Sequence, residues 1–170
     1  MTLLTLNKQQ QKMVRDKAKG LRFGDLILEL LTLLYLDEKT NLITEQFNTR
    51  TASDILNDGY ATGCTDFAIV LCAFLKELEI PYLYLDVLEK RWLDASMEEG
   101  KVMGHAFVET HGLLIDPQRK IIYHDLKFAL QRYEEFGRGK EPYDLGLTDF
   151  RTNMKKYLEF KKKYQASASV

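Results

Sequence analysis

Cysteine is scarce in this chain: Cys64 and Cys72 are the only two among 170 residues. On a single helix they would stand about 12 Å apart along the axis, beyond the ~7 Å between Cα atoms that a disulfide tolerates. A disulfide framework is therefore excluded. An excess of charge of one sign is also lacking. The 24 Lys and Arg against 25 Asp and Glu leave a net −1, too weak a field to recruit nucleic acid or an anionic membrane across the whole surface. No apolar run approaches the ~20 residues that span a bilayer, and the longest, Leu26 to Leu36, is interrupted by Glu29. The amino-terminal stretch has its charges after a few apolar residues, which is not the order of a secretory signal. These deficits predict a cytoplasmic, reduced protein with no nucleic-acid or membrane partner. Histidine is limited to His105, His111 and His124. None has tight ligand spacing with a cysteine, so no metal site and no cofactor are expected.

What is present is an ordinary globular composition, 45% apolar and 29% charged, with no repeat or linker, and one domain over residues 1–170 is expected. The pattern predicts a surface helix over 6–19 ended by Gly20, then a buried helix over 25–36 opened by Asp25. Residues 37–62 read as a long connection with at most a helical turn. Apolar positions from Phe67 to Leu78 recur at helical spacing until Pro81, which predicts a helix over 65–78. Strands follow over 82–89, 102–110 and 113–116, with a charged loop between the first two. An amphipathic helix is predicted over 121–136, a turn region over 137–147 and a last helix over 149–164. Its lysines, Lys155, Lys156, Lys161, Lys162 and Lys163, read as a solvated face, and the QASASV end as disordered.

The stretch GYATGCTDFA, residues 59–68, puts Cys64 at the start of the most regular helix. A thiol at a helix N-terminus beside a cationic imidazole is favoured as thiolate, the nucleophilic form. Unpaired N–H groups of the first turn would face the sulfur and any oxyanion formed there. Gly63 is expected to let the chain enter the helix without a Cβ clash. A small buried apolar residue is the alternative for Cys64, and Cys72, mid-helix, is expected to be inert core. His105, in GHAFVE, is the best partner base, with a purely structural strand histidine as the alternative. The glycine before it is expected to leave room for a backbone or helix end. Asp116 is the candidate orienter. In a hairpin turning at His111 and Gly112, the parity puts His105 and Asp116 on one sheet face, opposite each other or on a diagonal of roughly 7–8 Å. A turn-forming Asp-Pro is the alternative for Asp116.

Gly63-Cys64-x-Asp66-Phe67-Ala68, an apolar helix ending LKELEIP at 75–81, GHAFVE at 104–109 and LLIDP at 113–117 together resemble the transglutaminase-like cysteine superfamily. The resemblance covers about residues 58–117. It implies an α+β, papain-like fold in which the cysteine helix packs on an antiparallel sheet with flanking helices. It also implies a Cys–His–Asp triad of Cys64 as nucleophile, His105 as general base and acid, and Asp116 as orienter of the imidazole. Glu79 stands where the family usually has glycine, Phe107 where tryptophan is common, and Thr65 where a bulkier or charged residue is frequent. The family's oxyanion donor beyond the cysteine backbone has no assigned counterpart. Tyr60 is the candidate, with a loop aromatic as the alternative reading.

The implied function is a cysteine-dependent amide-cleaving or acyl-transferring enzyme on a peptide or protein amide substrate, working through a thioester acyl-enzyme. Water or an amine would resolve that intermediate. A catalytically inactive module that binds a peptide or protein partner is the alternative. Arylamine acetyl transfer ranks below both, since no Arg-Gly-Gly precedes the cysteine. Trp92 reads as a surface-packing residue, with a border of the cleft as the alternative, Glu98 and Glu99 as solvated, His111 as a turn residue and His124 as part of a helix cap.

Overall fold

A computed structural model describes residues 2–96 and 101–168. Helix α1 (Lys8–Ala18) starts on a reciprocal cap: the Asn7 side chain accepts from the Gln10 N–H, and the Gln10 side chain accepts from the Asn7 N–H. That pair satisfies two of the donors a helix start leaves open. Helix α2 (Phe23–Leu33) begins two residues before Asp25, which lies inside its first turn instead of capping it.

The stretch 37–62 is not a plain connection. It holds strand β1 (Asp37–Glu38), a 3-10 turn (Thr40–Leu42), helix α3 (Ile43–Gln46), helix α4 (Ala52–Asp58) and strand β2 (Tyr60–Ala61). Thr51 and Asp54 box the start of α4, and Gly59 takes a left-handed φ of 71° to end it. The two short strands pair in parallel. Each element is too short to print a period on the sequence, which is why none was legible.

Helix α5 (Cys64–Glu77) is buried continuously from Thr65 to Leu75. It closes on a Schellman turn: the Ile80 N–H bonds the Leu75 carbonyl at 2.9 Å and the Glu79 N–H bonds that of Lys76 at 3.1 Å. Glu79 pays for this with a left-handed φ of 56°, the conformation glycine adopts most readily. That is the physical sense of the glycine it replaces in the resemblance.

Strands β3 (Leu83–Glu89), β4 (Gly104–Thr110), β5 (Leu113–Asp116) and β6 (Ile121–Tyr123) form an antiparallel meander. Helix α6 (Lys90–Asp94) follows β3 directly, and helix α7 (Leu126–Leu130) follows β6. Strand β7 (Tyr133–Gly139) then returns to the free edge of β3, giving the order β6-β5-β4-β3-β7. The single helix expected over 121–136 is thus strand, short helix and strand. Only Leu126, Ala129 and Leu130 keep helical spacing in fact, while Tyr133 and Phe136 are drawn into the long-range pairing with β3.

The sheet is covered on both faces. On one, α5 with α1, α2 and α4 packs against Tyr84, Ala106, Val108 and Ile115. On the other, Leu85, Val87, Phe107, Leu114 and Tyr133 meet α7. A long terminal helix, α8 (Phe150–Ala168), joins Leu88, Trp92, Leu93 and Leu147 through Tyr157. The α+β class is as expected, with the cysteine helix packed on an antiparallel sheet.

Trp92 is a core residue rather than a surface packer. Lys161 is buried too, its Nζ 4.6 Å from the Trp92 ring centre and donating to the Ser96 carbonyl at 3.0 Å. The expected solvated face therefore holds for Lys155, Lys162 and Lys163 but not for Lys161, nor for Lys156, which is half-buried and donates to the Leu145 carbonyl at 3.2 Å. The helix continues into the segment expected to be disordered, where Gln165 Nε2 donates to the Leu93 and Ala95 carbonyls at 2.7 and 2.8 Å. Val170 and Ser169 lie outside the described residues, as do Glu98 and Glu99. Among the described residues no helix is long and apolar enough to cross a membrane.

Candidate active site

Cys64 is the first residue of α5 and is partly exposed, whereas Cys72, two turns on, is wholly buried. Burial pushes the Cys72 thiol far above its ordinary value, which makes it the inert core residue expected. Gly63 is extended at φ 167°, and a Cβ there would meet Ile43 Cδ1 at an ordinary 3.7 Å. The entry to α5 makes no steric demand for glycine, contrary to expectation.

What fixes the entry is charge. Asp66, buried in the first turn of α5, accepts from the Thr62 N–H at 2.7 Å and the Thr62 hydroxyl at 3.0 Å, and is paired with Arg50. Arg50 also reaches Asp58 at 2.9 Å and lies over the Tyr60 ring. A carboxylate near a helix N-terminus is favoured by the dipole, and here it ties the residues just before Cys64 to α4.

His105 is the second residue of β4. Gly104 before it is crowded, since a Cβ there would stand 3.3 Å from the Val87 carbonyl oxygen. The room goes to the neighbouring strand β3 and not to a helix end. Register in the β4–β5 hairpin pairs Val108 with Ile115 and Thr110 with Leu113, so Asp116 falls one step beyond, across from Phe107. His105 and Asp116 therefore share a face on a diagonal, as parity requires. His111 and Gly112 form the turn, with φ of 49° and 74°.

The diagonal closes as a hydrogen bond of 2.7 Å between His105 Nε2 and Asp116 Oδ2. Asp116 is fully buried, and its other oxygen accepts from the Arg119 N–H at 2.9 Å. The Phe107 ring meets the imidazole edge-on at 4.8 Å between centres, an aromatic wall where the resemblance has tryptophan.

Cys64 lines the same cavity as His105 and interacts with its ring. Nε2 is committed to Asp116, which leaves Nδ1 as the nitrogen for a thiol. Burial opposes charge on the ring, but Asp116 and Cys64 outweigh it and raise the imidazole to about 10. Of the three residues singled out in the sequence, His105 thus joins Asp116 by a hydrogen bond and shares a cavity with Cys64.

Cys64 and His105 line a cavity of about 140 Å³ with Asp86 and Tyr157. Its apolar walls come from Ile43, Phe47, Val102, Phe150 and Met154, and Lys101 also borders it. A larger hollow of about 710 Å³ lies against the far end of α5, among Leu4, Arg15, Lys76 and Glu77, and its lining has no cysteine, histidine or other nucleophile of this kind. Tyr60 lies outside the lining of the cysteine cavity. Its hydroxyl accepts from Gln46 Nε2 at 2.8 Å, and Lys39 and Arg50 stand over its ring.

Asp86 was not singled out in the sequence. It sits on β3 one residue from Val87, the register partner of His105. Its Oδ2 accepts from the Tyr84 hydroxyl at 2.8 Å and the Tyr157 hydroxyl at 3.1 Å. Burial pushes the Asp86 carboxyl up to about 7, against the downward pull of the two tyrosines and His105. The one available signal was an acidic residue inside the apolar strand YLYLDVLE.

Neither a protein-family profile nor a curated protein matches this sequence. The fold does match a crystal structure of a "putative cysteine protease" from Cytophaga hutchinsonii, with a TM-score of 0.56 and 16% identity. The match covers 84% of this chain and 47% of that one, so the chain spans about half its length. The chain thus shares its α+β fold with part of that protein.

Proposed function

We propose that the protein is a cysteine-dependent acyl-transfer enzyme of the transglutaminase-like class, with Cys64 as nucleophile, His105 as general base and acid, and Asp116 as orienter. The observation that carries this reading is the His105 ring, bonded to a buried carboxylate at 2.7 Å and lining one cavity with Cys64. Asp116 fixes the ring's orientation and balances the imidazolium. Sulfur attacks an amide carbonyl, and N–H groups of the first turn of α5, that of Cys64 foremost, hold the oxyanion. His105 then protonates the departing nitrogen, leaving a thioester on Cys64. Attack by water releases an acid, and attack by an amine transfers the acyl group; both return the proton through His105.

Alkylation tests the reading. Cys64 in the folded protein reacts with iodoacetamide near pH 6 at a rate well above that of a free thiol, and His105→Gln removes the excess. A Cys64 no faster than free cysteine, together with no turnover on a panel of peptide amides, would sink the enzyme reading and leave a peptide-binding module.

A further inference from the structure

Asp86 has one oxygen with nothing to do. Both tyrosine hydroxyls fall on Oδ2, while Oδ1 is buried and has no hydrogen-bond partner among the described residues. Such an atom has lost its hydration with no compensation unless something supplies a donor. The residue is only 3% exposed and lines the same cavity as Cys64 and His105. Tyr84 and Tyr157 lock the carboxyl by its other oxygen, so Oδ1 cannot swing away to find water. Of the other polar groups on the cavity wall, His105 and Lys101 are donors when protonated, the Tyr157 hydroxyl is already donated to Oδ2, and the Thr65 hydroxyl can donate or accept. The remaining walls, Cys64 and Gly104 aside, are apolar.

We propose that Asp86 is a specificity-determining residue for amides, its Oδ1, in the ionised carboxylate, accepting the N–H of the scissile amide nitrogen. This rests on the acyl-transfer reading and names the substrate class within it: donors whose leaving nitrogen carries a hydrogen, in preference to esters and N-alkylated amides. Holding that hydrogen on one side turns the nitrogen lone pair to the other, toward the proton on His105. The C–S bond forms first and gives the oxyanion; as that collapses the C–N bond breaks, the nitrogen gains the His105 proton, and Asp86 keeps only a hydrogen bond throughout. Geometry of this kind raises the chemical step more than it tightens binding.

Three acetyl donors with a nitrophenyl leaving group test the proposal: 4-nitrophenyl acetate, 4-nitroacetanilide and N-methyl-4-nitroacetanilide. In Asp86→Asn, kcat on the anilide falls about tenfold, the scale of one neutral hydrogen bond, while acylation by the ester stays within about threefold. The wild-type protein needs no mutation to show the same preference. It cleaves the N–H anilide about tenfold faster than the N-methyl anilide after each is scaled to its alkaline hydrolysis. An equal loss on ester and anilide in the variant overturns the assignment. If Asp86→Asn fails to fold, equal scaled rates on the two anilides, zero included, overturn it alone. Ester acylation of Cys64 that vanishes in Cys64→Ser upholds the acyl-transfer reading whatever Asp86 does. Its absence in the wild type removes that reading and this inference together.

Discussion

His105 and Asp116 lie two residues out of register on the same face of the β4–β5 hairpin, with Nε2 and Oδ2 2.7 Å apart. Asp116 is fully buried, so this carboxylate is held by the imidazole, the Arg119 N–H and, at 3.7 Å, the Arg119 guanidinium instead of by water. Removing it strands a charged ring. Asp116→Ala is expected to cost about 3–5 kcal/mol in urea unfolding, the range for breaking one side of a buried pair. In whatever fraction folds, turnover falls by up to about 10⁴, the loss a triad shows when the acid that orients its histidine is removed.

The same contact makes stability depend on pH in a defined direction. The His105 ring is raised from 6.5 unfolded to about 10 folded. Its contribution is therefore complete below pH 6.5 and disappears as pH rises through 10. Urea midpoints of the wild type should fall across that window, and those of His105→Gln should fall less. Equal slopes for the two proteins would contradict it.

Asp86 acts with the same sign in an earlier window. Its carboxyl rises from 3.8 to about 7 on folding, so the folded state favours the protonated form. That contribution is whole below pH 3.8 and lost as pH climbs through 7. Between pH 4 and 7 the stability of Asp86→Asn should gain on the wild type, as read from paired urea curves at each pH.

The thiols should separate cleanly. Cys64 is partly exposed and Cys72 wholly buried, so a disulfide reagent should label one thiol in the native protein and the second only on unfolding. Cys72→Ser leaves the labelling of Cys64 unchanged and costs about 1–3 kcal/mol for a hydroxyl buried without a partner. Fast native labelling of both thiols would refute this.

The Arg50–Asp66 pair anchors the turn into α5. Arg50→Met leaves Asp66 buried with Thr62 alone as its donor, at an expected cost of about 3–5 kcal/mol. Cys64 alkylation should drop in the same variant even where circular dichroism reports a native helix content. An unchanged rate would show that the turn holds without the pair.

Local pattern carried much of this protein. The period of Phe67 to Leu75 fixed α5, and the two-residue turn at His111 and Gly112 fixed the parity that brings His105 and Asp116 to one face. Both follow from residues a few positions apart, where backbone geometry leaves little choice. What the chain alone did not determine comes from long-range contact. The segment 121–136 has helical spacing, yet β7 forms because β3 offers a free edge to pair with. Asp86 looked like a stray acid in a strand until Tyr157, arriving 71 positions later on α8, took one of its oxygens. The meeting of Cys64 with His105 is of the same kind: it depends on how α5 lies against the sheet, and packing settles that only once both are formed.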